Sequence, residues 1–267
     1  MLKEMINISP YPEINAILHR LKLEVHRVLR GQFLGMYIHG SLALDDFNPE
    51  SSDIDFLVVT ASDLSEKTIL TLSNMHTCII NSNPKWARKL EGSYVPQDIL
   101  KQQYPPITPR PYINGDKFCL SNYGGEWILE RHVLREHGIV IAGPPIQNLI
   151  DPIHPNEIRQ ATLQILNEWW LPMFQDTSRL KSDEYQAYAI LTMCRILFTL
   201  KHGAIVSKPK AAAWARKKFN GQWVELIEKA LSWREGRLMN VLNEVMDFIR
   251  FTHDFHVSKL TKQYNPK

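Results

Sequence analysis

The chain has 267 residues, 44% of them hydrophobic, with 31 basic against 28 acidic side chains and a formal net charge of +3. That length fits one large domain or two ordinary ones, and a near-neutral balance neither demands nor excludes a nucleic-acid partner, since a backbone binder would usually show a basic stripe. Cys78, Cys119 and Cys194 are odd in number and far apart, without a C-x-x-C, which disfavours a disulfide framework or a zinc site and favours a reducing compartment. Met1 to Pro12 mixes charged and isolated apolar residues without a signal-peptide core, and no apolar run approaches membrane-spanning length. A cytoplasmic protein is expected.

Along the chain, Ile14, Ile17, Leu18, Leu21, Val25, Val28 and Leu29 recur at helical spacing over residues 13–30, with Gly31 as a stop. Residues 33–38 read as a buried strand running into His39-Gly40-Ser41. After eleven intervening residues, Asp53-Ile54-Asp55 opens a second apolar strand through Val59. Asp63 to Glu66 resembles a helix start leading into Ile69, Leu72 and Met75. Residues 90–95 form a third strand, stopped by Pro96. The proline-dense stretch 101–116 reads as a long surface loop. A helix over 126–138 and a short strand over 139–142 lead to Gly143-Pro144-Pro145, the expected domain boundary. Beyond it helices dominate, at 156–170, 184–202, 209–219, 222–234 and 237–255, so an α/β half joined to a helical bundle is expected.

The chemistry concentrates around the first two strands. Gly40 permits a tight turn and a close approach, and Ser41 offers a hydroxyl and a backbone N–H to a phosphate oxygen. Asp53 and Asp55 are two apart on a strand, so both carboxylates project to one side. Two hard oxygen ligands on one edge suit Mg²⁺, which commonly takes one or two carboxylates plus substrate phosphates. The pattern points to nucleotidyl transfer, and the strand–turn–strand context raises it above a chance Gly-Ser and D-x-D.

Glu91 is the third carboxylate. If residues 90–95 pair beside the D-x-D strand, it can remove the acceptor's proton, hold a metal, or be an ordinary strand glutamate. Arg195, in an apolar helix, either reaches a phosphate with its planar fork or pairs with Asp183 or Glu184. Lys208 opens a basic segment whose usual fate is a solvated helix face, although a lysine there can neutralise triphosphate charge. Glu126, Glu130, Asp183 and Glu184 offer an acidic wall for a cationic substrate or serve as helix-start charges.

His39-Gly40-Ser41 with Ser52-Asp53-Ile54-Asp55 resembles the signature of the DNA polymerase β-like nucleotidyltransferases. More narrowly, nearly the whole chain is similar to the streptomycin 3″/spectinomycin 9 aminoglycoside adenylyltransferases. The resemblance includes Leu90-Glu91, Arg135-Glu136-His137, Gly143-Pro144, Leu191 to Arg195 and Lys208 to Ala215. The segment before Asp53 is one residue longer than expected for that family, and residues 101–125 do not align cleanly with the part that contributes to its drug pocket.

This likeness implies an α+β fold. A polymerase β-like domain with a mixed sheet over 1–150 would precede a C-terminal α-helical bundle over 151–267. It implies ATP as AMP donor, Mg²⁺ held by Asp53 and Asp55, and Glu91 as the catalytic glutamate. Gly40, Ser41, Arg195 and Lys208 would bind the nucleotide. The implied acceptor is an aminoglycoside-like antibiotic and the expected state a monomer, with neither nucleic acid nor membrane as partner. The alternatives are adenylylation of a protein or RNA, or a nucleotide-binding module without turnover.

Overall fold

A computed structural model of the chain describes residues 7–104 and 107–264, with side chains as far as residue 255. The first six residues, and Pro105 and Pro106 of the expected loop, lie outside the described residues. Two compact units divide the chain, Met1–Pro152 and Ile153–Lys267.

In the first unit the elements are α1 (Pro12–Leu29), β1 (Phe33–Ile38), the single turn α2 (Gly40–Ala43), β2 (Ile54–Thr60), α3 (Glu66–Ser82) and α4 (Pro84–Ala87). They continue with β3 (Leu90–Pro96), α5 (Gln97–Leu100), β4 (Arg110–Asn114), β5 (Lys117–Ser121), α6 (Trp127–His137) and β6 (Ile139–Ala142). The six strands form one mixed sheet in the order β5-β4-β3-β2-β1-β6, with β2 and β3 parallel and the other pairs antiparallel.

Strand alternation divides the two faces of this sheet. Ile54, Phe56 and Val58 of β2, Leu90 and Tyr94 of β3 and Ile113 of β4 share one buried cluster with Ile14, Leu18, Leu21 and Val25 of α1 and Leu72 and Ile79 of α3. The intervening residues Asp55, Glu91, Ser93 and Tyr112 therefore point to the opposite face. α3 begins where Ser65 Oγ accepts the Thr68 N–H at 3.3 Å, an N-cap that fixes the end of the β2–α3 connection.

The expected loop over 101–116 is corrected by a hairpin. β4 and β5 pair from Arg110↔Ser121 to Asn114↔Lys117, around a two-residue turn whose first member, Gly115, has φ +61°. Gly115-Asp116 between two apolar-containing runs is a two-residue hairpin signal, and it outweighs the nearby prolines. Pro111 fits because the β3–β4 pairing covers only Tyr112 to Asn114, leaving Pro111 paired with β5 alone, as on an edge strand. Gly143-Pro144-Pro145 is also not where the contacts divide. It belongs to the first unit, where Tyr37 Oη donates to the Pro144 carbonyl at 2.9 Å.

The second unit is helical: α7 (Pro155–Ile165), a π-helical continuation Leu166–Trp170, two 3₁₀ turns, α8 (Asp183–His202), α9 (Lys208–Lys218), α10 (Gln222–Ser232) and α11 (Leu242–Tyr264). Gly203 closes α8 in the left-handed region at φ +64°. α8 is central: Ala189, Ile190, Met193, Cys194, Ile196 and Leu197 lie in a buried cluster with Ala211, Ile227, Val245 and Phe248.

The helix expected from residue 237 starts at Leu242 instead. Asp183 Oδ1 accepts the N–H groups of Met239 (2.7 Å) and Asn240 (3.2 Å), and Gln186 Oε1 accepts that of Val241 (2.9 Å). Those donors are satisfied by α8 side chains, and Asn240 sits at φ +47°, so the segment has a non-helical solution that periodicity does not reveal. Among the described residues no helix is long and apolar enough to cross a membrane.

Candidate active site

β1 and β2 deliver the Gly-Ser turn and the D-x-D pair to one end of the sheet. Their ladder runs to Ile38↔Phe56, and His39 N–H then donates to the Asp55 carbonyl at 3.1 Å. The backbone turns at Gly40 with φ +60°, and a Cβ there would collide with the Asp55 carboxyl group. Glycine is thus needed twice, for the left-handed backbone and for the space Asp55 occupies. Ser41 follows, and its Oγ is buried without a hydrogen-bond partner. An orphaned buried hydroxyl at the edge of a carboxylate pair suits a phosphate oxygen that arrives with a ligand.

The approach to Asp53 is held by backbone contacts. Ser51 and Ser52 N–H groups donate to the Asn48 carbonyl, and Asn48 N–H donates to Ser52 Oγ at 3.0 Å. Lys89 Nζ donates to the Glu50 and Ser52 carbonyls at 3.3 Å each. Asp53 is exposed at the strand entrance and Asp55 half-buried one pleat further in. With Gly40 and Ser41 beside them, the two carboxylates are a donor set that fits Mg²⁺ together with a phosphate.

The parallel register of β2 and β3 sets Glu91 directly beside Asp55. Both belong to the face opposite α1 and α3, and Asp53 stands immediately ahead of β2. β4 adds Tyr112, whose hydroxyl donates to Glu91 Oε1, and Asn114, whose Nδ2 donates to Tyr112 Oη at 3.3 Å. Arg110, buried on the same strand, donates from Nε to Ser93 Oγ at 2.7 Å and from Nη1 to the Asn122 carbonyl at 2.8 Å. Its guanidinium also lies 4.4 Å from the Tyr123 ring centroid. Reading residues 101–116 as a loop concealed Arg110, Tyr112 and Asn114; the Gly115-Asp116 turn signal would have found them.

Electrostatics mark the same region. The Glu130 carboxyl is pushed up to about 8 by burial, opposed by Arg110 and reinforced by Glu126, Glu91 and Asp55. Burial takes the His39 imidazole down to about 4, against a hydrogen bond to the Phe56 backbone, so it is neutral at pH 7.

In the second unit, Arg195 is half-buried on α8, seven residues after Tyr188 and therefore on the same helix face. Lys208 Nζ lies 3.8 Å from the Tyr188 ring centroid. Arg179, Ser182, Glu184, Tyr185 and Tyr188 line a recess of about 250 Å³. Of the acidic residues expected to face a substrate, Asp183 has a structural task, since its Oδ1 caps the loop before α11.

The nucleotidyltransferase domain family matches residues 28–107, and the aminoglycoside adenylyltransferase C-terminal domain family matches residues 148–254. The chain is 28% identical to a spectinomycin 9-adenylyltransferase of Campylobacter jejuni over 257 residues, 90% of each protein. It is 25% identical to an aminoglycoside (3″)(9) adenylyltransferase of Escherichia coli, covering 90% of this chain and 93% of that one. Its fold matches a crystal structure of spectinomycin adenyltransferase from Enterococcus faecialis with ATP and spectinomycin, at TM-score 0.70 and 21% identity, over 90% of this chain and 97% of the other. With the two domain families matched in order and similarity running nearly end to end, the chain is a nucleotidyltransferase similar along its length to the aminoglycoside adenylyltransferases.

Proposed function

We propose that this enzyme transfers AMP from Mg-ATP to a hydroxyl of an aminoglycoside-like antibiotic, releasing pyrophosphate and inactivating the drug. The observation that carries the reading is the pairing of Asp55 with Glu91 beside the Gly40-Ser41 turn. The relatives named for spectinomycin and for aminoglycoside 3″ and 9 transfer support the choice of acceptor.

Asp53 and Asp55 would hold Mg²⁺, which when bound supplies charge stabilisation to the reacting and leaving phosphate oxygens. Ser41 Oγ donates to a phosphate oxygen, while Arg195 and Lys208 supply positive charge to the triphosphate. Glu91 accepts the proton of the attacking hydroxyl as the new P–O bond forms at the α-phosphorus. The α–β bridging bond breaks, and its electron pair leaves with pyrophosphate. An ammonium-bearing acceptor suits the carboxylates of Glu91 and Glu126, with Glu130 as a neutral hydrogen-bonding carboxyl beside them, whereas a polyanionic RNA would be repelled by the charged pair. A cytoplasmic monomer completes the proposal: free cysteines suit a reducing compartment that also supplies ATP, and one chain carries every residue named here.

The test is incubation with Mg-ATP and a panel of aminoglycosides and spectinomycin, following pyrophosphate release and drug mass. A gain of one AMP on a drug is expected. AMP appearing only on protein or RNA acceptors, or on nothing, would overturn the reading.

A further inference from the structure

Glu91 receives a hydrogen bond from a tyrosine on the neighbouring strand. β3 and β4 are antiparallel, with Ser93 opposite Tyr112 and Glu91 opposite Asn114. The Tyr112 side chain reaches diagonally, a distance that long aromatic side chains span, and its hydroxyl donates to Glu91 Oε1. Asn114 Nδ2 donates in turn to the same phenolic oxygen. The phenol thus accepts one hydrogen bond and spends its proton on a single carboxylate oxygen.

Its surroundings keep that arrangement from rotating away. The buried Arg110 guanidinium lies 5.6 Å from the Tyr112 ring centroid and is itself fixed by Ser93, Asn122 and Tyr123. Burial and the adjacent Glu91 raise the Tyr112 hydroxyl well above the ordinary tyrosine range, so it stays protonated and remains a donor. A glutamate side chain otherwise loses much rotamer freedom when it must meet a reacting hydroxyl in one geometry.

We propose that Tyr112, oriented by Asn114, is a positioning residue that occupies Oε1 of Glu91 and thereby presents Oε2 to the proton of the acceptor hydroxyl. The proposal rests on Glu91 acting as the base. Tyr112 neither gives up nor gains a proton during turnover. It acts through Glu91, and its contribution must vanish when Glu91 can no longer accept a proton.

The experiment is a double-mutant cycle in the full-length enzyme with Mg-ATP and an accepted drug. Glu91→Gln should lower kcat by roughly 10²–10⁴-fold. Tyr112→Phe should lower kcat by roughly 10–100-fold, the value of a hydrogen bond to a charged group, with KM for ATP nearly unchanged. In the Glu91→Gln background the same substitution should change kcat less than twofold. Asn114→Ala, at an exposed position, should give a smaller fall of the same kind and serves if Tyr112→Phe fails to fold. Full activity in Glu91→Gln would remove the base itself and the present proposal with it. A large loss in Glu91→Gln together with normal turnover in both Tyr112→Phe and Asn114→Ala would overturn only the positioning role. So would an equal loss from Tyr112→Phe in both backgrounds, because Tyr112 would then act independently of Glu91.

Discussion

The carboxyl group of Asp55 fills the space that a side chain on Gly40 would need, so the turn and the second aspartate are packed as one unit. The left-handed backbone at Gly40 costs an L-residue about 1–2 kcal/mol, and the collision displaces Asp55 besides. Gly40→Ala is therefore expected to reduce turnover by on the order of 10²-fold through misplacement of the metal-binding edge. Activity and thermal melting measured side by side would check this; a variant that melts earlier but turns over normally would separate the turn from the chemistry.

Asp53 is exposed and serves no core, so Asp53→Ala should abolish AMP transfer while changing stability by no more than about 0.5 kcal/mol. Urea unfolding gives the second quantity and pyrophosphate release the first. Full activity at low magnesium would withdraw Asp53 from metal binding.

Arg195→Ala and Lys208→Ala should each weaken ATP binding roughly 10–100-fold, the scale of one charge-assisted contact. Calorimetry on the full-length protein reads this directly. Unchanged affinity in both variants would return Arg195 to an ion pair within the helical unit and leave Lys208 as a cation resting on Tyr188.

Acid should destabilise the first unit through a group far from the chemistry. His76 is 1% exposed, its Nε2 is 2.7 Å from Tyr94 Oη, and burial pushes its imidazole down to about 4. The unfolded chain, with an ordinary histidine near 6.5, binds the proton first, so stability rises with pH across the window from about 4 to 6.5 and is lost as pH falls through it. The contribution is on the order of 3 kcal/mol. Titration of the histidine signals by NMR should find His76 neutral down to about pH 4.5; a midpoint near 6.5 would contradict the burial argument.

Much of the fold is legible because its signals are local. The apolar runs at β1, β2 and β3, and the 3.6-residue period of α1 and α8, state their own type. Gly203 supplies the left-handed stop of α8. Where tertiary partners replace local ones, the reading fails. Residues 237–241 carry helical periodicity, yet Asp183 and Gln186 take their backbone donors. Residues 110–121 hold a Gly-Asp turn that the surrounding prolines masked.

The amino-acid sequence by itself determined that Asp53 and Asp55 project to one side of the strand following a Gly-Ser turn, because strand alternation is a property of the chain alone. The β1–β2 pairing brought the turn to Asp55. The sequence also placed Glu91 on a strand of its own. Whether Glu91 lies beside Asp55 was decided by the parallel β2–β3 register, since a one-residue slip would have turned its side chain into the α1–α3 core. The contact from Tyr112 to Glu91 belongs wholly to the tertiary structure. It joins residues 21 apart through the pairing of β3 with β4, and no spacing along the chain encodes which strand becomes a neighbour.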